Sequence, residues 1–325
     1  MVNLVAAQKP LLHGMMKLAG LSPKTVEIEP GTTMNFWVPS ETIKKAKADP
    51  AHTLEEEEEK KLKKKKANKK KPVVVMIHGF AAEGIVTWQF QVGALTKNYA
   101  IYIPDLLFFG GSITDETDRS PEFQTECLVK ALTKLRVDTC TVVGFSYGGM
   151  VAFKMAELHP NFVKSLVVSG TNPALTDSIS EETMSRLGFS SSSEMLLPTS
   201  VKGLKSLLKV AIHKKLWFPN RLYKDYLEVM FTNRKERGEL LETLVNNRKN
   251  ITIPNLTQRI YLLWGEEDQI FNMEIAQNLK GQLGDNATLL SIKKGGHLVH
   301  LERPCVYNRL LKSILASLHT DTAQQ

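Results

Sequence analysis

The residues best suited to chemistry are a serine, a histidine and a carboxylate, far apart in the chain and each just past a short apolar run. Ser146 lies in Gly144-Phe145-Ser146-Tyr147-Gly148, a G-x-S-x-G with Gly149 behind it. Thr139-Cys140-Thr141-Val142-Val143 precedes it and reads as a strand, and Met150 to Glu157 follows and reads as a helix. A tight strand-to-helix turn presses backbone on backbone, which glycine tolerates. It holds the serine hydroxyl at its tip, above a helix N-terminus with free N–H groups and a positive dipole end. A serine so placed can attack a carbonyl once a neighbouring base takes its proton.

His297 is the base this reading selects. It sits in Lys293-Lys294-Gly295-Gly296-His297, straight after the strand Ala287-Thr288-Leu289-Leu290-Ser291-Ile292. Loop tips at strand C-terminal ends are where open α/β sheets build their sites. His300 is the rival, three residues into the next element. The strand Arg259 to Trp264 ends in Gly265-Glu266-Glu267-Asp268, which offers three carboxylates to orient an imidazole and stabilise its charged form. Upstream, Val73-Val74-Val75-Met76-Ile77 runs into His78-Gly79-Phe80. Backbone N–H groups of Phe80 and Tyr147 are placed to form an oxyanion hole, one from each loop. His78, at the end of a buried strand, reads as a structural residue satisfying loop hydrogen bonds.

Read along the chain, strands and helices alternate. Thr25 to Ile28 and Thr32 to Val38 alternate around Glu29-Pro30-Gly31 as a hairpin. After strand 73–77 come a helical stretch from Ile85 to Leu95, strand 100–104, and a helix started by Ser120-Pro121. The serine turn and strand 164–169 follow, and the last two strand–helix units resume at 259. This rhythm predicts an α/β fold: a mostly parallel central sheet with helices on both faces. Residues 174–258 break it with amphipathic stretches and no clear strand. There Leu204, Leu207, Leu208 and Ala211 share one helical face and Lys202, Lys205 and Lys209 another, which reads as a helix with its apolar side on a pocket and its lysines in water, membrane contact being the alternative, and Ser190 to Ser193 reads as a hinge.

The ordered motifs resemble the α/β-hydrolase superfamily, and most of all its lid-bearing esterases and lipases of the monoacylglycerol-lipase kind. The resemblance runs from about residue 20 to the C-terminus. It rests on His78-Gly79-Phe80, the serine turn, Trp264-Gly265-Glu266-Glu267-Asp268, and Gly296-His297 with Glu302 and Pro304. The chain also resembles plant epoxide-hydrolase-like proteins, but epoxide hydrolases of this fold carry aspartate where this chain has Ser146. The resemblance implies a nucleophile–acid–base order of Ser146, Asp268 and His297, with Asp268 chosen by the W-G-x-x-D spacing. It implies that residues 174–258 are a helical lid inserted into the fold. Many relatives have glycine where Phe108 or Phe109 falls, so a bulky residue there would narrow the pocket. Trp88, Phe108 and Phe109 are the expected pocket-lining residues. Glu302 reads as a helix-dipole or capping contact.

The domain reading is an N-terminal arm over 1–24, lying on the domain; a first core part over 25–173 with a charged insertion at 39–72; the lid over 174–258; and a second core part over 259–325. With 325 residues, one large domain plus a lid is the natural count. Three cysteines, Cys127, Cys140 and Cys305, are too few and scattered for a disulfide framework or zinc site. There is no H-E-x-x-H, P-loop or G-x-G-x-x-G, and the reaction implied needs no metal and no cofactor. No run approaches 18 apolar residues, and Lys9, Pro10, His13 and Lys17 interrupt any signal-peptide core.

Net charge is +8, and Glu55–Glu59 with the nine lysines between Lys60 and Lys71 supplies half of it. No base-stacking aromatics accompany that tract, so it reads as a solvated insertion and not a nucleic-acid surface. The expectation is a monomeric cytoplasmic enzyme that cleaves apolar or lipid-like carboxylic esters through an acyl-enzyme. Its partner is a small-molecule ester, with peripheral contact to an anionic membrane surface left open. Three alternatives are a hormone-type receptor with the same pocket, a C–C bond hydrolase or acyltransferase, and an interaction protein working through the Glu/Lys tract.

Overall fold

The computed structural model describes residues 2–47, 71–173, 175–215, 217–246 and 255–320. Most of the Glu/Lys tract lies outside them. The strands are β1 (Leu21–Glu29), β2 (Thr32–Pro39), β3 (Val73–Ile77), β4 (Ala100–Pro104), β5 (Cys140–Phe145), β6 (Val163–Ser169), β7 (Leu175–Thr176), β8 (Val245–Asn246), β9 (Arg259–Gly265) and β10 (Ala287–Ile292). Eight of them form one sheet in the order β1-β2-β4-β3-β5-β6-β9-β10, while β7 and β8 pair separately. β1–β2 and β2–β4 are antiparallel, and every other pairing in the large sheet is parallel.

The central strands are apolar on both faces because helices cover both faces. β3 shows this at single-residue resolution. Val75 and Ile77 belong to one core cluster, Val74 and Met76 to the other, as the two-residue period of a strand requires. The first cluster takes in Leu128 and Leu132 of the helix Pro121–Lys134 and Val151 and Met155 of the helix Tyr147–Leu158. The second takes in Tyr307, Leu311 and Leu315 of the C-terminal helix Pro304–Thr320. Ser120 caps Pro121–Lys134 by accepting a hydrogen bond from Phe123 N.

Three local expectations need correction. The stretch Ile85–Leu95 is two short helices, Gly84–Thr87 and Val92–Leu95, because buried Gln91 donates its amide to the His300 carbonyl and the Asn308 side chain instead of facing solvent on a continuous helix. Residues 39–47 extend β2 to Pro39 and then form the helix Ser40–Lys47. Ser190–Ser193 is a capping structure: Ser190 donates from N and Oγ to Glu194, and Ser191 caps the helix Ser192–Leu196.

Between β6 and β9 the chain builds helices Asp177–Leu187, Ser192–Leu196, Val201–Ala211, Asn220–Met230 and Arg234–Leu244. Leu204, Leu207 and Ala211 are buried, the face the sequence pattern marks as apolar. A helix over Leu4–Leu18 precedes the sheet. It buries Val5, Leu12 and Met16 and is capped by Asn3.

Candidate active site

Four strand ends converge. Ser146 follows β5, and its φ of 52° and ψ of −120° fall outside the ordinary regions for an L-residue. Such a conformation costs about 1–3 kcal/mol and persists only where the surroundings enforce it. Here Ser146 N donates to Ser169 O of β6 at 2.9 Å, and Ser146 O accepts from Gly149 N at 2.8 Å. Gly148 lets the helix behind the serine approach β3: a Cβ there would collide with the carbonyl oxygens of Ile77 and His78. Tyr147 opens that helix, so its N–H is one of those with no intrahelical acceptor.

His297 Nε2 lies 3.1 Å from Ser146 Oγ, and its Nδ1 lies 2.9 Å from Asp268 Oδ2. Asp268 and His297 are both buried. Asp268 Oδ1 accepts backbone N–H bonds from Ile270 and Phe271, each 2.9 Å long. Those bonds occupy one carboxylate oxygen and aim the other at the imidazole. The Phe271 ring stacks on the His297 ring at 5.9 Å. In this chain of contacts the imidazole can take the serine proton while the carboxylate fixes its orientation.

His300 does not compete. It is fully buried, its ring nitrogens have no partner among the described residues, and burial beside His297 lowers its pKa to about 3. Glu266 and Glu267 point elsewhere: Ser291 Oγ donates to Glu266 at 2.7 Å, and Glu267 lies 4.0 Å from His213. His78 is structural. Its Nε2 accepts from Leu106 N at 2.9 Å, which leaves Nδ1 to donate to Gly79 O at 2.7 Å. Burial lowers its pKa to about 4 and keeps it neutral. Glu302 bridges loops in place of capping a helix: one oxygen accepts from Gly296 N, the other from His213 N and Lys214 N. It ties the histidine loop to the helical segment. Cys140 is buried, and that burial pushes its thiol pKa upward.

Two apolar cavities meet at Ser146 and His297. One, of about 640 Å³ including space open to solvent, is lined by Tyr147, Met150, Met184, Met195, Leu241 and Phe271. The other, of about 690 Å³ on the same measure, is lined by Ala81, Val86, Leu204, Leu207, Tyr226 and Phe231. Phe80, Leu196 and Ile270 belong to both walls and form the waist. Trp88, Phe108 and Phe109, expected in the pocket, line neither cavity. Trp88 is sealed in the core against His300, with ring centroids 5.2 Å apart. Phe109 packs edge-on to His78 and Phe80 under the Arg237 guanidinium, and Phe108 lies under Arg119. Phe109 packs behind Phe80, and neither side chain lines or narrows the cavities.

Gly170 is a site residue that the sequence reading passed over. Its φ is +53°, and a Cβ there would lie 2.8 Å from His297 Nδ1 and 3.0 Å from Asp268 Oδ2. A glycine directly after β6 was the available signal. Gly170→Ala is expected to keep the protein folded but cut kcat on a soluble short-chain ester by about a hundredfold, since a misplacement of about 1 Å costs that much. Steady-state kinetics beside a thermal melt checks it; unchanged kcat would remove Gly170 from the account.

Among the described residues no group of histidine, cysteine and carboxylate side chains could hold a metal ion, and no helix is long and apolar enough to cross a membrane.

A family model described as the alpha/beta hydrolase fold matches residues 72–304. Monoacylglycerol lipase ABHD6 of Bos taurus is 26% identical over 269 residues, covering 77% of this chain and 77% of that protein. Epoxide hydrolase 4 of Homo sapiens is 24% identical over 262 residues, covering 74% and 71%. A solved structure of a proposed lipase, lip1 from Acinetobacter baumannii AYE, superposes with a TM-score of 0.75 at 20% identity, covering 96% of this chain and 97% of that one. At that identity the superposition speaks for the fold alone.

Proposed function

This chain belongs to the α/β-hydrolase fold family, and from that membership we propose that it is a serine hydrolase cleaving carboxylic esters of apolar, lipid-like substrates. The observation that carries the reading is the hydrogen-bonded line Ser146–His297–Asp268 at the meeting point of two apolar cavities. The similarity to monoacylglycerol lipases supports it, and a serine at the turn argues against the aspartate-dependent chemistry of epoxide hydrolases.

In the proposed reaction His297 takes the Ser146 proton as Oγ attacks the ester carbonyl. Negative charge gathers on the carbonyl oxygen, where the N–H groups of Phe80 and Tyr147 stabilise it. Collapse expels the alcohol, which takes the proton from His297 and leaves an acyl-Ser146. Water, activated by the same histidine, releases the acid and restores the serine. The acyl chain fills one cavity and the alcohol the other, while residues 174–258 act as the lid whose Met195, Leu196 and Leu204 complete the walls.

Cavities this apolar reward chain length. Each buried methylene is worth about 0.8 kcal/mol, so an octanoyl ester, with four more, should exceed a butanoyl ester in kcat/KM by about two-hundredfold. A panel of p-nitrophenyl esters from acetyl to palmitoyl measures this. A flat or falling profile would overturn the lipid-like part, and no turnover of any ester would overturn the hydrolase part.

A further inference from the structure

We propose that the N-terminal helix and the loop at Trp217 form one docking surface for an anionic lipid bilayer. The proposal does not depend on the ester-hydrolase reading.

Exposed large apolar side chains are concentrated there. Leu4, Leu11, Met15 and Leu18 are 50%, 64%, 37% and 91% exposed. Their spacings of seven, four and three residues put them on one helical face. Val5, Leu12 and Met16 are buried, so the helix has one apolar face on the protein and a second facing solvent. Trp217 is 83% exposed. It lies just before the helix Asn220–Met230, to which the N-terminal helix is fastened at its start. Arg221 donates to Val2 O at 2.7 Å, Leu4 N to the Asp225 carboxylate at 2.7 Å, and Asn3 to Glu228 at 3.1 Å. These bonds fasten the start of the N-terminal helix, with Leu4 at the head of the stripe, to the helix that follows the Trp217 loop.

Charge selects the occupant. Residues 1–26 contain no aspartate or glutamate; of their lysines, Lys9 pairs with Glu83 at 3.1 Å, and Lys17 and Lys24 are exposed. Residues 195–224 likewise contain no acid and carry six lysines and Arg221, with Lys214 and Lys215 beside Trp217. Lys17, Lys214 and Lys215 are exposed. Apolar side chains flanked by cations, with a tryptophan, match the boundary between acyl chains and anionic headgroups. A second copy of the chain would bring like charges together. The helix Asn220–Met230 also contributes Tyr226 to the second cavity, so docking would hold that cavity's wall one helix from the bilayer.

The test uses the full chain with phosphatidylcholine vesicles, with and without about one-third phosphatidylglycerol. Trp37, Trp88 and Trp264 are buried, so vesicle-induced changes in emission report Trp217. Wild type is expected to sediment with the anionic vesicles, weakly with neutral ones, and less in high salt. Brominated lipid should quench Trp217. Leu11→Asp/Leu18→Asp should weaken binding by about tenfold or more while leaving turnover of a soluble short-chain ester unchanged. Should that variant lose ester turnover, Trp217→Ala, on an exposed loop, decides instead. Equal binding by the variants, or no quenching, overturns the proposal. So does a wild-type dimer that the double variant turns into monomer, which would assign the face to a second copy. So would a Gly/Ser replacement of residues 54–71 that abolishes vesicle binding while Leu11→Asp/Leu18→Asp retains it.

Discussion

His297→Ala is expected to reduce ester turnover by roughly 10⁴- to 10⁶-fold, the range seen when single members of such a unit are removed. His300→Gln should keep most of it. The two histidines are three residues apart, yet their environments differ in kind. His297 touches both Ser146 and Asp268. His300 has no hydrogen-bond partner for its ring among the described residues and packs between Phe145, Trp88 and Tyr307. A loss on His300→Gln would come through packing and would show as a lowered melting temperature at near-normal kcat. Stopped-flow acylation separates the cases further: without His297 the release of the first product should slow as much as steady-state turnover. A His297→Ala enzyme within tenfold of wild type, or a ranking in which His300 matters more, would mean that another group takes the serine proton.

What was legible in the sequence was whatever short-range pattern determines. β3, β5, β9 and β10 are mainly apolar or β-branched runs, each with a glycine within three residues of its end, and such runs announce a strand and its end together. Because a parallel sheet collects strand ends on one side, naming the ends nearly names the site. That is why Ser146, Asp268 and His297, spread over more than 150 residues, could be singled out before any contact was known. Glu302 read as a helix-dipole or capping contact, and the loops it bridges were not legible. Its partners, Gly296, His213 and Lys214, include two that arrive from the segment before β9.

The pocket was not legible, for a physical reason. An apolar side chain has the same composition signal whether it faces a cavity or fills a core. Trp88, Phe108 and Phe109 lie near the right loops but point into close packing. The face Leu204, Leu207, Leu208 and Ala211 was readable as a pocket wall and does line the second cavity, but other lining residues, such as Met184 and Met195, come from helices whose placement over Ser146 depends on long-range contact. Gln91 is a similar case. Its amide is pinned by His300 O, a carbonyl 209 residues away, and no local propensity foretells the break in the helix there. Gly170 shows the opposite failure: its position after β6 was readable, but the reason, a histidine and an aspartate within 3.0 Å of where a Cβ would sit, was not.

Ser146 is the proposed nucleophile. Ser146→Ala removes the oxygen that lies 3.1 Å from His297 Nε2 while leaving the turn, the cavities and Asp268 in place. Loss of turnover on the order of 10⁶-fold is expected, with little change in melting temperature, because alanine at that strained φ is no worse than serine. The most direct measurement is labelling of the wild-type chain by a fluorophosphonate, followed by mass-spectrometric mapping of the modified peptide. Stoichiometric phosphonylation at Ser146 is expected, disappearing in Ser146→Ala and falling steeply in His297→Ala. A label on another residue, or undiminished ester turnover by Ser146→Ala, would contradict it.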